Sequence, residues 1–289
     1  MELTIFTPTY NRAHLLERLY LSLRAQTLKG FEWVIVDDGS TDQTQTLVNS
    51  FLEVKNDFSI RYIKQENQGK HVAINTGAKV AVGTLFFIVD SDDYLSDAAV
   101  SVILSEWMPI KDDFRFGGVA FNKCIIGGSS LGAPQYAKID CLPLDFRYKL
   151  NERGDKAEVI RTELFLAHPF PTDNAEKFCP EGLFFNRLTQ NLRYINKDIY
   201  YCAYLPDGLT SQIFNIRKNS PVNTCLYYRE LAESNIPVKH KLKSIINYYR
   251  FKRYISKGQQ FAEPDARYSQ KLISQLVAEL IYLLSDSRN

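Results

Sequence analysis

Three carboxylates, Asp90, Asp92 and Asp93, stand within four residues at the end of the apolar run Leu85-Phe86-Phe87-Ile88-Val89. Carboxylates packed that closely repel one another, and a cation among them favours their ionised forms. Hard oxygen ligands of this kind suit Mg²⁺ or Mn²⁺. The same residues would equally make an acidic turn that caps a helix starting near Ser96. Two further polar clusters end apolar runs upstream. Leu3 to Thr7 leads into Pro8-Thr9-Tyr10-Asn11-Arg12, and Phe31 to Val36 leads into Asp37-Asp38-Gly39-Ser40.

The elements that must position these clusters follow from periodicity. Leu3 to Thr7, Phe31 to Val36, Ile60 to Ile63 and Thr84 to Val89 read as short buried strands, with Pro8 ending the first. Between them, Asn11 caps a helix bearing Leu15, Leu16, Leu19, Tyr20 and Leu23. Ser40 caps one through Leu52, and Lys70 to Val82 forms one closed by Gly83. Ser96 caps a fourth, to about Trp107. Strands alternating with helices over short connections predict an α/β fold, with a mostly parallel sheet flanked by helices. Right-handed crossovers then put Thr7, Asp37-Asp38 and Asp90 to Asp93 on one rim, where open α/β sheets bind ligands. Later segments are less regular. Val119 to Ile126 and Tyr194 to Tyr204 read as strands. Asp155 and Glu158 make a capping-box start for a helix to about Ala167, and Glu181 to Leu192 reads as helix. Gly127 to Leu150 is irregular. From Arg217 the chain reads as helical, with Tyr227-Tyr228, Ile245-Ile246, Leu272 and Leu276 facing inward. The boundaries that result are 1–108, 109–215 and 216–289.

Composition narrows the function. A chain of 289 residues, 45% hydrophobic, can build a sizeable core. Its net charge of +2 predicts no nucleic-acid partner. Five cysteines without a CxxC predict neither a zinc site nor a disulfide framework, and a reducing cytosol. The N-terminus has no basic segment followed by a long apolar one, which predicts no signal peptide. No apolar run approaches the roughly 20 residues that span a bilayer.

Taken in order, Pro8-Thr9-Tyr10-Asn11-Arg12, Val36-Asp37-Asp38-Gly39-Ser40-Thr41-Asp42, Asn67-Gln68-Gly69-Lys70, Asn75-Thr76-Gly77 and Asp90-Ser91-Asp92-Asp93 resemble family 2 glycosyltransferases. The resemblance is dense over residues 1–108. It thins to echoes at Gly154-Asp155-Lys156-Ala157-Glu158, Pro180-Glu181-Gly182 and Asp207-Gly208-Leu209-Thr210. It implies a GT-A fold and an inverting, metal-dependent transfer of one sugar from a nucleotide sugar, usually UDP-linked, to an acceptor hydroxyl. The setting it implies is surface polysaccharide or glycolipid synthesis, with a saccharide or lipid-linked saccharide as acceptor. Thr7, Pro8 and Tyr10 would hold the base, with Asp38 on the uracil imide and Asp37 beside it. Asn67, Gly69 and Lys70 would form a loop over the nucleotide. Asp90, Ser91 and Asp92 match the family's DxD, with Asp92 and Asp90 as the metal residues for Mn²⁺ or Mg²⁺, Asp92 foremost as direct ligand, and Asp93 behind them or on the donor sugar. The general base falls on Glu181, although Gly182 stands where the family often has a second acid. Asp173 and Asp207 are the alternatives. Processive members add a Gln-x-x-Arg-Trp motif. The two tryptophans here, Trp33 and Trp107, come too early for it.

Residues 238–258 interleave Lys239, Lys241, Lys243, Arg250, Lys252, Arg253 and Lys257 with Tyr248, Tyr249, Phe251 and Tyr254. Such a stretch fits an anionic membrane surface, or a solvated helix whose aromatics pack inward. The first option places the protein in the cytoplasm with peripheral contact at the inner membrane face. Rival readings are a nucleotidyltransferase, which lacks its glycine-rich loop here, a non-catalytic nucleotide-sugar-binding protein, and a membrane-surface adaptor.

Overall fold

A computed structural model describes residues 1–132, 134–152, 154–202, 212–256 and 261–284. They form two compact units between which the chain passes several times. The first comprises residues 1–143, 152–169 and 188–205; the second comprises 144–151, 170–187 and 206–289.

The first unit holds one nine-stranded mixed sheet. Its strands are β1 (Leu3–Thr9), β2 (Phe31–Asp37), β3 (Ser59–Lys64), β4 (Leu85–Ile88), β5 (Tyr94–Leu95), β6 (Phe116–Ile125), β7 (Lys138–Cys141), β8 (Lys156–Arg161) and β9 (Asn191–Cys202). They lie in the order β3-β2-β1-β4-β8-β6-β9-β5, and β7 pairs with β9. The first four are parallel to one another. β8 then runs antiparallel to both β4 and β6. Helices α1 (Ala13–Arg24), α2 (Thr44–Glu53), α3 (Lys70–Val80), α4 (Ala99–Trp107) and α5 (Thr162–Ala167) complete the unit. β1 and β2 are buried along their whole length, as inner strands covered on both faces must be. The core joins Leu3, Ile5, Trp33, Phe87, Val119 and Tyr200.

Several sequence expectations are corrected here. The first half of the helix expected from Asp155 to about Ala167 is the strand β8, because Lys156–Arg161 is buried between two partner strands and has no solvent face for a helix, while the second half is helical as α5. β1 continues through Pro8 to Thr9, with Pro8 opposite Val36. Gly83 does not close α3. A Cβ there would lie 2.4 Å from the Thr4 amide nitrogen, so the glycine lets the chain pass against β1. Asn11 and Ser40 cap no helix, and both instead tie two loops together, as described below. The segment expected to be irregular contains β7 and a π-helical turn, Asp145–Lys149.

The second unit is helical: α6 (Gly182–Arg187), α7 (Ile213–Lys218), α8 (Pro221–Glu233), α9 (Val238–Lys252) and α10 (Tyr268–Leu284). Cys225, Tyr228, Ala232, Ile245, Tyr248, Tyr249, Phe251 and Ala278 form its core. The aromatics of the basic stretch thus point inward. Tyr227 and Ile246 pack partly against this core, whereas Leu272 and Leu276 are exposed, against expectation. Lys257 and Gly258 lie outside the described residues. No helix among the described residues is long and apolar enough to cross a membrane, and all five cysteines are free thiols.

Candidate nucleotide and cation site

Parallel pairing brings the ends of β2, β1 and β4 side by side. Thr9 is opposite Asp37, and Phe6 is opposite Ile88. The first two loops interlock. Asn11 takes a positive φ of 52°, its amide donates to Ser40 Oγ (2.8 Å), and its side-chain oxygen accepts from the Thr41 amide (2.8 Å). Asp42 accepts from the amides of Ala13 and Thr44. Asp37 accepts from the Ser40 amide (2.7 Å) and from the Tyr62 hydroxyl (2.5 Å).

Asp38 clamps a third loop. Its buried carboxylate accepts from the Gln68 amide (2.9 Å), the Gly69 amide (2.7 Å) and Gln65 Nε2 (2.8 Å). Gly69 has φ 98° and Gly39 has φ 86°. At Gly39 a Cβ would meet the Asn67 amide nitrogen at 2.9 Å. The loop therefore closes on Asp38 only over a residue without a side chain.

The acidic turn is stitched by Tyr200 of β9. Its hydroxyl accepts from the Asp90 amide (3.1 Å) and donates to Asp93 Oδ2 (2.6 Å). The Asp92 carbonyl accepts from Arg18. Lys70 Nζ sits 2.6 Å from Asp90 Oδ1, and Lys123 Nζ lies 4.5 Å from the centre of the Tyr200 ring. Burial pushes the Asp90 carboxyl up, but the charges of Lys70 and Lys123 outweigh it and hold the group below its ordinary value. Burial likewise opposes the charge of Lys123, and Asp90, Asp155 and Glu158 restore it. Asp93 is pushed up to about 7, by burial first and then by the Asp90 charge. Ser91 is buried in the same turn, while Asp92 is partly exposed.

Among the described residues no group of three or more His, Cys, Asp and Glu side chains could by itself hold a metal ion. The donor set fits a different arrangement. One accessible carboxylate, Asp92, suits a hard cation that takes its other ligands from phosphate and water.

The raised Asp93 pKa has a consequence for stability. The group ionises near pH 4 when unfolded and near pH 7 when folded. Its favourable contribution is whole below about pH 4 and lost by about pH 7, because the unfolded chain releases the proton first. Asp93→Asn keeps an acceptor for Tyr200 and removes the titration. In metal-free buffer the variant is expected to gain about 2–4 kcal/mol over the parent at pH 8 relative to pH 4, read from urea midpoints. An equal difference at both pH values overturns the assignment.

Of the expected residues, Pro8, Tyr10, Asp37, Asp38, Asn67, Gly69, Lys70, Asp90, Ser91, Asp92 and Asp93 belong to these loops or to the strand and helix ends that flank them, in the first unit. Tyr10 is exposed. The Thr7 hydroxyl instead accepts from the Trp33 indole (2.9 Å), inside the core. Two residues escaped the sequence reading. Thr9 has a buried hydroxyl without a hydrogen-bond partner at the rim, and Lys123 enters from β6. Alternation along β6 hints at Lys123, but nothing in the sequence places β6 near the acidic turn.

Glu181 belongs to the second unit, exposed at the start of α6. Its carbonyl accepts from the Phe184 amide (3.0 Å). Beside it, a Cβ on Gly182 would lie 2.8 Å from the Tyr227 ring. Tyr227 thus packs where a second acid would project. Asp173 is exposed in the same unit, and Asp207 lies outside the described residues.

Residues 4–124 match the family model described as glycosyl transferase family 2. Over 123 residues the chain is 34% identical to the glycosyltransferase GlyA of Streptococcus pneumoniae, covering 42% of this chain and 17% of that protein. Over 107 residues it is 33% identical to a GalNAc(5)-diNAcBac-PP-undecaprenol β-1,3-glucosyltransferase of Campylobacter jejuni, covering 36% of this chain and 34% of that one. The chain therefore spans well under half the length of these relatives. Its fold is like that of S. aureus TarS 1-349 in complex with UDP-GlcNAc, with a TM-score of 0.62 at 20% identity over 99% of this chain and 82% of that one.

Proposed function

We infer, from a chain that carries a family 2 glycosyltransferase domain over residues 4–124, that the protein moves one sugar from a nucleotide sugar, with UDP as its nucleotide, to a hydroxyl of a saccharide or lipid-linked saccharide. The observation that carries this reading is the pair of lysines, Lys70 and Lys123, gathered around the Asp90–Asp93 turn at the rim where three parallel strands end. A diphosphate leaving group gains negative charge as the glycosidic bond breaks. Two ammonium groups and an accessible carboxylate that can hold a divalent cation are what that charge requires.

Each residue then has a task. Tyr10 and the Pro8–Thr9 edge receive the base, and the Thr9 hydroxyl finds its partner there. Asp38 presents the Asn67–Lys70 loop, and Asp37 holds the turn beside it. Asp90 keeps Lys70 facing the diphosphate. Asp92 holds Mn²⁺ or Mg²⁺, which when bound offsets the phosphate charge. Asp93 and Tyr200 keep the turn in shape around Ser91. Glu181 accepts the proton of the attacking hydroxyl. The new bond forms on the face of the anomeric carbon opposite the departing diphosphate, so configuration inverts.

The non-catalytic reading keeps one observation in its favour. Tyr227 packs against Gly182, so a single carboxylate remains at the head of α6. A thermal-shift panel of nucleoside diphosphates and nucleotide sugars, with and without Mn²⁺, separates the readings when combined with an assay for released UDP. UDP and a UDP-sugar at a hundredfold excess over Kd are expected to stabilise by about 2.7 kcal/mol, more with Mn²⁺ than without, with UDP released once an acceptor is added. No shift from any nucleotide overturns the site. A shift without release, across a set of acceptors, favours the binding protein.

A further inference from the structure

β8 starts on the sheet edge where β4 ends, because the two strands run antiparallel. β6 and β8 pair out to Asn122 and Lys156, and Lys123 and Asp155 are the next residues towards that rim. Behind them the pairing is locked, since the buried Lys156 ammonium donates to the buried Asn122 side chain (2.7 Å). Leu131 fixes both positions. Its amide donates to the Lys123 carbonyl (2.7 Å), and its carbonyl oxygen lies 2.3 Å from where a Cβ on Gly154 would stand. Gly154 also has φ 88°, so the turn before Asp155 needs a residue without a side chain.

The two side chains held there are both open. The half-buried Lys123 ammonium makes no hydrogen bond or ion pair among the described residues. It rests 4.5 Å from the centre of the Tyr200 ring, whose hydroxyl stitches the acidic turn. Asp155 is exposed, and its carboxylate likewise has no partner among the described residues. Asp90 and Asp155 both act on the Lys123 charge without touching it. An open ammonium beside an open carboxylate selects its ligand. A phosphate suits Lys123 and is repelled by Asp155, and a metal ion does the reverse. A hydroxyl suits both, because its hydrogen donates to the carboxylate and its oxygen accepts from the ammonium. The strand order β2-β1-β4-β8-β6 says which hydroxyls these are. With the base at the ends of β1 and β2 and the diphosphate at the turn after β4, the transferred sugar falls to β8 and β6.

We propose, resting on the nucleotide-sugar donor inferred for this site, that Asp155 determines donor specificity: its carboxylate accepts from hydroxyls of a neutral transferred sugar. Lys123 has three N–H donors, enough to serve the diphosphate and the sugar ring together. The same carboxylate sets a substrate class. A sugar bearing its own carboxylate meets Asp155 as a like charge, so uronic acids are rejected where neutral hexoses are held.

Isothermal titration of the full chain in Mn²⁺ buffer tests this with UDP, UDP-glucose, UDP-galactose, UDP-N-acetylglucosamine and UDP-glucuronate. The parent is expected to bind at least one neutral donor about tenfold more tightly than UDP-glucuronate. Asp155→Ala is expected to weaken that neutral donor by about ten- to hundredfold, the loss of a hydrogen bond to a charged group. It is also expected to tighten UDP-glucuronate while leaving UDP as in the parent. A merely structural role does not move two donors in opposite directions. Should Asp155→Ala fail to fold, the same comparison is read from Asp155→Asn, which removes the charge and keeps an acceptor. UDP binding retained with every donor unmoved overturns the role of Asp155 alone. So does an equal weakening of UDP and all donors. A folded parent that binds no UDP overturns the nucleotide reading, and this role with it.

Discussion

Asp92→Ala is expected to lower turnover of the nucleotide-sugar donor by about a thousandfold at saturating donor and Mn²⁺, with thermal stability nearly unchanged. The size follows from the charge involved, since removing one preorganised stabiliser of developing negative charge costs about 10² to 10³ in rate, and a divalent ion supplies several kcal/mol. The fold is spared because it uses the Asp92 backbone rather than its carboxylate. The Asp92 carbonyl is held by Arg18, while Asp93 and the Asp90 amide hold Tyr200. Steady-state assays with a metal titration and a melting curve decide the matter. Normal turnover at saturation removes Asp92 from the site. A loss of turnover matched by a large fall in melting temperature reassigns it to structure.

Glu181→Gln is expected to cut transfer by about 10² to 10⁴, the range for losing a positioned general base, while UDP binds as before. Glutamine keeps the shape and loses the proton acceptor. The side chain is exposed at the start of α6, so the variant is expected to melt close to the parent. Isothermal titration with UDP alongside single-turnover transfer separates binding from chemistry. A weakened UDP affinity with normal transfer at saturation rejects the base role. Should Asp173→Asn show the loss in its place, the base lies there.

Much of the site was legible because it is local. Each apolar run of strand length ends in its own polar cluster, and parallel crossovers dictate that such ends meet. What the sequence hid is of three kinds. Lys123 comes from β6, whose place beside β8 and β9 depends on pairings across tens of residues that no local pattern encodes. β8 was hidden by a conflict of signals. Asp155 and Glu158 imitate a capping box, but Lys156–Arg161 is enclosed by β4 and β6, and tertiary burial overrides the local preference. The reversed orientation of α10 has a third origin. Apolar residues were expected inward, yet Ser274 and Ala278 are the ones that meet the core. Small side chains let α10 approach α9 closely, and the leucines are left outside.

The clamp formed by Asp38 separates two properties that a motif search treats as one. Its three acceptor contacts and the tight approach at Gly39 serve the chain's own backbone. The interlock of Asn11 with Ser40 and Thr41 does the same. A descendant that had lost all chemistry would still be under pressure to keep these residues in order to fold. Recognising Asp37-Asp38-Gly39-Ser40 or Asn67-Gln68-Gly69-Lys70 in a relative therefore reports an intact scaffold. Evidence of chemistry has to come instead from the side chains proposed to face the donor and the acceptor, Tyr10, Lys70, Lys123, Asp92 and Glu181.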